Sequence, residues 1–257
     1  MGIIIRRLVD ADGALAKARS IALSLSRIYG VPTRIAATKV PLDSLYATEL
    51  GLERGKLGLV LRRAIYEGYR VPITVCRTGT EFYVIDGHHR AYVAWLLGER
   101  HIDAYFVRFD EPFKYEPPFK LRLWELGVVN DEPFGDRRLD LWRFMAGVIV
   151  FYEKKYGGAF RLRRDMVRVG ALIPTQKYLE RSKLSALVDE PILCLETLDG
   201  KLYILDGHAR SYKKLISEGE DALIEALVLY QTRPVKLGIE RVVAAQSLSR
   251  LSDIVLV

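Results

Sequence analysis

One short string, spelled twice, limits what this chain can fold into more than anything else in it. Asp86-Gly87-His88-His89-Arg90 recurs as Asp206-Gly207-His208-Ala209-Arg210. The likeness extends upstream. Thr48, Leu52, Glu53, Arg54, Lys56 and Leu57 match Thr175, Leu179, Glu180, Arg181, Lys183 and Leu184. VPITV at 71–75 matches EPILC at 190–194, and FYVIDGHHRAY at 82–92 matches LYILDGHARSY at 202–212. The blocks keep one order, and the second copy is the shorter between Leu184 and Pro191. Ordered similarity of this kind is the mark of a duplicated supersecondary unit. A chain of 257 residues, half of them hydrophobic, can bury a core in each of two small modules.

Each copy reads as the same run of elements. A strand and turn lead in over 35–45 and 166–174. A helix follows, carrying LERGKL or its counterpart LERSKL. In the first copy Leu57, Leu61 and Ile65 recur at helical spacing. Gly55 and Gly58 count against that helix, at about 1 kcal/mol each relative to alanine. It runs to a stop at Gly68. A hairpin comes next, 72–76 with 82–85 and 191–195 with 202–205, turning at Gly79 and at Asp199-Gly200. A glycine then opens a helix at 88–97 or 208–217, which Gly98 or Gly219 ends. A last strand closes each copy at 102–107 and 223–229. Outside the copies lie an alanine-rich helix over 10–29, a proline-bearing connector over 111–134, and a long helix over 136–156. Leu139, Trp142, Met145 and Ile149 mark the core-facing side of that long helix. The domains expected are 1–115 as a catalytic module, 116–160 as connector and long helix, and 161–257 as a degenerate second module. The fold class is α/β (α+β), with small mixed sheets packed around helices.

Composition excludes some classes. No apolar run approaches the roughly 18 residues that span a bilayer. The opening Met-Gly-Ile-Ile-Ile-Arg-Arg turns acidic at Asp10 and Asp12, unlike a secretory signal. Cys76 and Cys194 sit in apolar runs without metal-ligand spacing, as core thiols of a reducing compartment would. A cytoplasmic protein without membrane partners is expected. One asparagine and three glutamines among many charges suggest a thermophile. The net charge of +7 favours anionic ligands. Its basic residues are interleaved with acidic ones rather than clustered, which argues against a nucleic-acid partner.

The repeated string is where the chemistry lies. A strand runs through a glycine into a helix start, where free amides and the positive end of the helix dipole make an anion site. Arg90 in the first helical turn opposes that dipole, so an anion is expected to neutralise it, and arginine suits bidentate phosphate contacts. His88 and His89 add donors, and Gly87 lets the backbone approach a ligand. Asp86 is placed to hold a Mg²⁺ ion that bridges phosphates. Glu49 of the first copy is Gln176 in the second, and His89 is Ala209. Both losses fall in one copy, which suggests one active and one degenerate half.

This layout resembles the ParB/sulfiredoxin superfamily, which binds nucleotide phosphates at such a turn. The reactive cysteine of sulfiredoxin-type members is missing from Gly87-His88-His89-Arg90, and the partition proteins' Gly-Glu-Arg-Arg string is absent too. Asp-Gly-His-His-Arg looks most like the free L-serine kinases of hyperthermophilic archaea. In those enzymes a glutamate a few residues after a Leu-Asp pair acts as base. Here Leu42-Asp43 is followed by Glu49, and Thr232-Arg233 resembles a late Thr-Arg pair. The resemblance covers mainly 40–107. It implies a phosphoryl transfer from ATP or ADP, with Mg²⁺, to the hydroxyl of free L-serine, giving O-phosphoserine. The implied catalytic set is Glu49, Asp86 and His88. The implied phosphate set is Gly87, His88, His89, Arg90, Thr232 and Arg233. A monomer is expected. The alternatives are a nucleotide-binding regulator without turnover and a ParB-like nucleic-acid binder.

Overall fold

A computed structural model describes residues 8–110, 113–185 and 187–257. The chain divides into two compact units, Met1–Gly158 and Ala159–Val257. The opening Met-Gly-Ile-Ile-Ile-Arg-Arg string and Pro112 of the connector lie outside the described residues.

The first unit begins with α1 (Ala11–Tyr29). Asp10 caps it, accepting from the Gly13 amide at 2.8 Å, and Ala14, Ala18 and Ala22 form its buried stripe. Then come β1 (Thr33–Pro41), β2 (Leu45–Ala47), β3 (Gly51–Glu53), α2 (Arg54–Tyr66), β4 (Ile73–Thr78), β5 (Glu81–Asp86), α3 (His88–Leu96) and β6 (His101–Phe109). The five-stranded sheet has the order β1-β6-β4-β5-β2. β1 and β6 pair antiparallel, as do β4 and β5, while β4–β6 and β2–β5 are parallel. A three-residue strand, β7 (Gly127–Val129), pairs with β3, and α4 (Arg137–Lys155) completes the unit.

The second unit repeats this plan. Its strands are β8 (Phe160–Arg168), β9 (Leu172–Ile173), β10 (Tyr178–Leu179), β11 (Ile192–Glu196) and β12 (Leu202–Asp206). After α5 (His208–Glu218) come β13 (Leu223–Gln231), α6 (Gly238–Ala245) and β14 (Val255–Leu256). The sheet order β8-β13-β11-β12-β9 matches the first sheet position by position. Even the irregularity is shared, since the hairpin register slips at Thr74/Val75 in one unit and at Leu193/Cys194 in the other. The chain is therefore α/β, with two similar mixed five-stranded sheets and their helices.

Two expectations need correcting. Only the first copy of LERxKL opens an α-helix, and it does so from Arg54. The second copy forms a short 3-10 turn over Arg181–Leu184. The reason lies in the glycines that counted against the helix. A Cβ on Gly58 would stand 2.7 Å from the Trp142 backbone, and one on Gly55 would meet Asp131 and Phe134. Both glycines let α2 close on α4 and its approach segment. In the second copy Ser182 and Ser185 occupy those places. The second correction concerns the connector, which contributes β7 to the fold. A strand of three residues carries too little periodicity to be read from sequence. α6 and β14 likewise follow the last strand without a signal that announced them.

The long helix behaves as its stripe implies. Trp142, Met145 and Ile149 are buried, Leu139 partly so, and Asp136 caps the start through the Arg138 and Leu139 amides. Cys76 and Cys194 are free and buried, and burial pushes the Cys76 thiol up to about 12. No helix among the described residues is long and apolar enough to cross a membrane.

Candidate functional site

The turn between β5 and α3 is built around Gly87, whose φ of 98° lies in the left-handed region. Space as well as torsion demands glycine there. A Cβ would stand 2.7 Å from Ile73 Cγ2 and 2.9 Å from Arg90 Nη2. The Arg90 side chain folds back under the turn. Its Nη1 donates to the Pro72 carbonyl and its Nη2 to Asp86 Oδ2 at 2.7 Å. Asp86 thus supplies the anion that the sequence led us to expect from a ligand. Helix α3 starts without a side-chain cap, so its first amides stay available at the turn.

His88 is buried beneath the turn. Its Nε2 accepts from the Thr48 amide at 3.1 Å, while the Thr48 hydroxyl donates to the Val84 carbonyl at 2.6 Å. An accepting Nε2 carries no proton, so the ring proton sits on Nδ1. That nitrogen faces Glu49 Oε1 at 3.3 Å. The chain from Thr48 through His88 to Glu49 fixes both the histidine tautomer and the carboxylate. The hydrogen bond from His88 holds the Glu49 carboxyl below its ordinary value of 4.5, against an opposing push from burial. Glu49 is therefore an ionised acceptor at neutral pH, and its side chain is 54% exposed.

Glu49, Asp86, Gly87, His89 and Arg90 line one cavity of about 140 Å³, together with Lys17, Lys56 and Tyr69. Lys17 arrives from α1 and pairs with Asp86 Oδ1. Lys56 stands in the first turn of α2 and acts electrostatically on Glu49, Asp86 and His89. Burial pushes the Asp86 carboxyl up, but the Lys17 hydrogen bond and the Arg90 and Lys17 charges outweigh it and hold it low. Burial, reinforced by Lys56, drives His89 down to about 3, so that ring is neutral. Tyr69 gives its hydroxyl hydrogen to the Val9 carbonyl at 2.6 Å.

The second unit copies the scaffold and drops the working groups. Thr175 donates its amide to His208 Nε2 at 3.0 Å and its hydroxyl to the Ile204 carbonyl at 2.7 Å. Arg210 spans Asp206 and the Glu190 and Pro191 carbonyls. The residue in the place of Glu49 is Gln176, whose amide turns to the Tyr178 carbonyl. Among the described residues Asp206 has Arg210 as its cation and no lysine in the role of Lys17. Burial accordingly prevails, and its carboxyl is raised where that of Asp86 is lowered. Burial also brings His208 down to about 4.

The first unit thus gathers Glu49, Asp86, Gly87, His89 and Arg90 around one cavity, with His88 just behind them. Thr232 and Arg233 belong to the second unit, where the Thr232 amide and hydroxyl both serve the Ala159 carbonyl. Lys17 carries no distinguishing signal in the sequence, because Lys17 and Arg19 flank Ala18 equally on α1. Glu53 is the N-cap position of α2, and Arg54 packs against Gly147. As a magnesium ligand Asp86 fits poorly, since Arg90 and Lys17 occupy its two oxygens. Among the described residues no group of three or more His, Cys, Asp or Glu is arranged to hold a metal ion.

Among known proteins, no family model matches the chain. An uncharacterized protein of Methanocaldococcus jannaschii is 31% identical over 120 residues, 42% of this chain and 43% of that protein. The chain thus spans less than half the length of this relative. Sulfiredoxin from Arabidopsis thaliana matches 28% of this chain and 83% of its own, at 21% identity and a TM-score of 0.25. A free serine kinase variant in complex with ADP matches 86% of this chain and 80% of its own, at 12% identity and a TM-score of 0.25. The same kinase variant in complex with AMP matches at 14% identity and the same TM-score. Likenesses this remote leave the geometry of the site to carry the functional argument.

Proposed function

We propose that the first unit transfers a phosphoryl group from ATP or ADP to the hydroxyl of a small amino acid, with free L-serine as the acceptor and O-phosphoserine as the product. The observation that supports this most is the Thr48–His88–Glu49 chain. It holds an ionised carboxylate at the edge of a cavity floored by a helix start and flanked by Lys17 and Lys56. Glycine at the turn admits phosphate oxygens close to the first α3 amides, and the two lysines offset their charge. The acceptor hydroxyl donates to Glu49. Its oxygen forms the new bond to phosphorus as the bond to the leaving nucleotide oxygen breaks, and the hydroxyl proton passes to Glu49. Phosphoryl transfer depends mainly on alignment and charge, so a weakly basic, well-held carboxylate suits the task.

In this reading His88 is a positioning residue that orients Glu49, and Asp86 positions Lys17. Asp86, with its two oxygens paired to Lys17 and Arg90, is not a metal ligand in this reading. Magnesium would enter on the nucleotide, where it neutralises phosphate charge. Thr232 and Arg233 stay candidate nucleotide contacts on the motif resemblance alone. The second unit, with Gln176 and Ala209, is read as the non-catalytic half.

Labelled ATP and ADP, offered with a panel of amino acids and polyols, test the activity. Glu49→Gln keeps size and hydrogen bonding but cannot take a proton. It should lower kcat by about 100- to 10,000-fold with nucleotide affinity unchanged. Near-normal kcat in that variant would remove the assignment.

A further inference from the structure

We propose that the first unit holds the nucleoside of its donor in a second cavity, walled by α2 and α3, and that the second unit, having lost both walls, binds no nucleotide, so that each chain takes one. This rests on the phosphotransferase reading and gives the donor its place in it.

The cavity beside Glu49 is about 140 Å³, well below the roughly 300 Å³ at which small-molecule sites begin. It has room for phosphate groups and not for a whole nucleotide. A neighbouring cavity of about 260 Å³ shares Val60, Tyr69 and Arg90 with it, and only together do the two reach the size of such a site. The larger cavity is walled by buried apolar side chains: Val60 and Ala64 from α2, Val93 and Ala94 from α3, and Ile102 from β6. Of the basic groups that also line it, Arg90 and Arg70 are paired with Asp86 and Glu99, and Lys39 and His101 lie exposed. The charge for phosphate oxygens is at Lys17 and Lys56 in the smaller cavity, and the apolar walls of the larger one suit a flat base. The donor crosses from one to the other past Val60 and Tyr69.

The second unit lacks both walls. In the place of α2 it has the short 3-10 turn Arg181–Leu184. On α5, Lys213 and Lys214 stand where α3 has Val93 and Ala94. The first unit buries that pair, whereas Lys213 is exposed and Lys214 is half-buried and paired with Glu218 at 2.6 Å. That face of the helix meets solvent because no α2 covers it. The turn at Gly207 survives with its Asp206–Arg210 brace, so the turn alone would leave the second unit a candidate nucleotide site. A base bound beside it would face lysines and water instead of two apolar walls. The losses at Gln176 and Ala209 remove chemistry, and the loss of α2 removes the donor.

Calorimetry of the full chain with ADP and with pyrophosphate tests this. Ala64→Leu and Ala94→Leu each place a larger side chain at one wall of the larger cavity. Both should weaken ADP binding by about 10- to 100-fold, the worth of burying an apolar group of that size, and leave pyrophosphate binding unchanged. ADP affinity that is unchanged in both variants, or pyrophosphate affinity lost with it at an unchanged Tm, overturns the proposal. The wild-type chain supplies a test that no folding defect can obscure. With its alanine and valine methyls labelled for NMR, adenosine alone should shift the signals of Ala64, Val93 and Ala94, and pyrophosphate should not. Adenosine that leaves all three in place overturns the assignment. ADP should titrate to one equivalent per wild-type chain, and a second equivalent overturns the claim about the second unit. All of these readouts are free of turnover. Should ADP bind as described while no acceptor is phosphorylated, the phosphotransferase reading fails alone.

Discussion

At the residue scale, Arg90 shows how a correct observation leads to an incomplete inference. A cation in the first turn of a helix does need an anion, but Asp86 one turn earlier provides it at 2.7 Å. The matching pair Arg210–Asp206 in the second unit indicates that this brace belongs to the fold. Arg90→Ala would leave Asp86 with Lys17 as its remaining cation and release the Pro72 carbonyl. It should destabilise the chain by about 1–3 kcal/mol, the cost of a partly buried acceptor left unmade, as read from denaturant unfolding. If Arg90→Ala instead unfolds like the wild type and loses only nucleotide affinity, the arginine is a ligand contact. Glu49 carries the second prediction at this scale. Its folded carboxyl titrates below 4.5, so its contribution is complete above that value and is lost as pH falls through the lower folded one. Activity against pH should therefore show no acidic limb from Glu49 between about pH 5 and 8. A limb centred near pH 6 that disappears in Glu49→Gln would contradict the hydrogen bond from His88.

At the element scale, α2 separates intrinsic preference from packing. Helix propensity alone predicts that Gly58→Ala stabilises the protein by about 1 kcal/mol. Packing predicts the opposite, because the new methyl would meet the Trp142 backbone at 2.7 Å, and backbone cannot swing aside. We expect a loss of about 1–3 kcal/mol, the usual cost of overpacking, visible as a lower Tm. A raised Tm would mean that α2 and α4 are further apart than described. The prediction bears on the site, since α2 carries Lys56 in its first turn.

For the whole molecule, duplication followed by divergence separates what each unit retains. Both keep the sheet order, the hairpin slip, the Thr–His contact and the Asp–Arg brace. Only the first keeps the carboxylate, the second histidine, the α2 helix and the lysine from α1. Restoring two side chains should therefore be insufficient. In a Glu49→Gln background, adding Gln176→Glu and Ala209→His should leave turnover at the level of Glu49→Gln alone, measured with labelled nucleotide. Recovered activity would show that the second unit lacks nothing but those two groups.

The repeat, the strand–glycine–helix turn and the list of candidate groups around Glu49 and Asp86–Arg90 were legible in the sequence, because each rests on local order along the chain. Strand and helix periods and the glycine turn are properties of neighbouring residues. What the tertiary structure decided involves residues far apart. Lys17 reaches Asp86 across 69 positions, and Thr48 reaches His88 across 40. The direction of a hydrogen bond is settled by such partners and not by residue type. Hence the partners of His88, the Thr48 amide at Nε2 and Glu49 at Nδ1, direct its proton toward the carboxylate. In the same way Gly58 is a weakness to α2 in isolation and the condition for its packing once α4 lies against it.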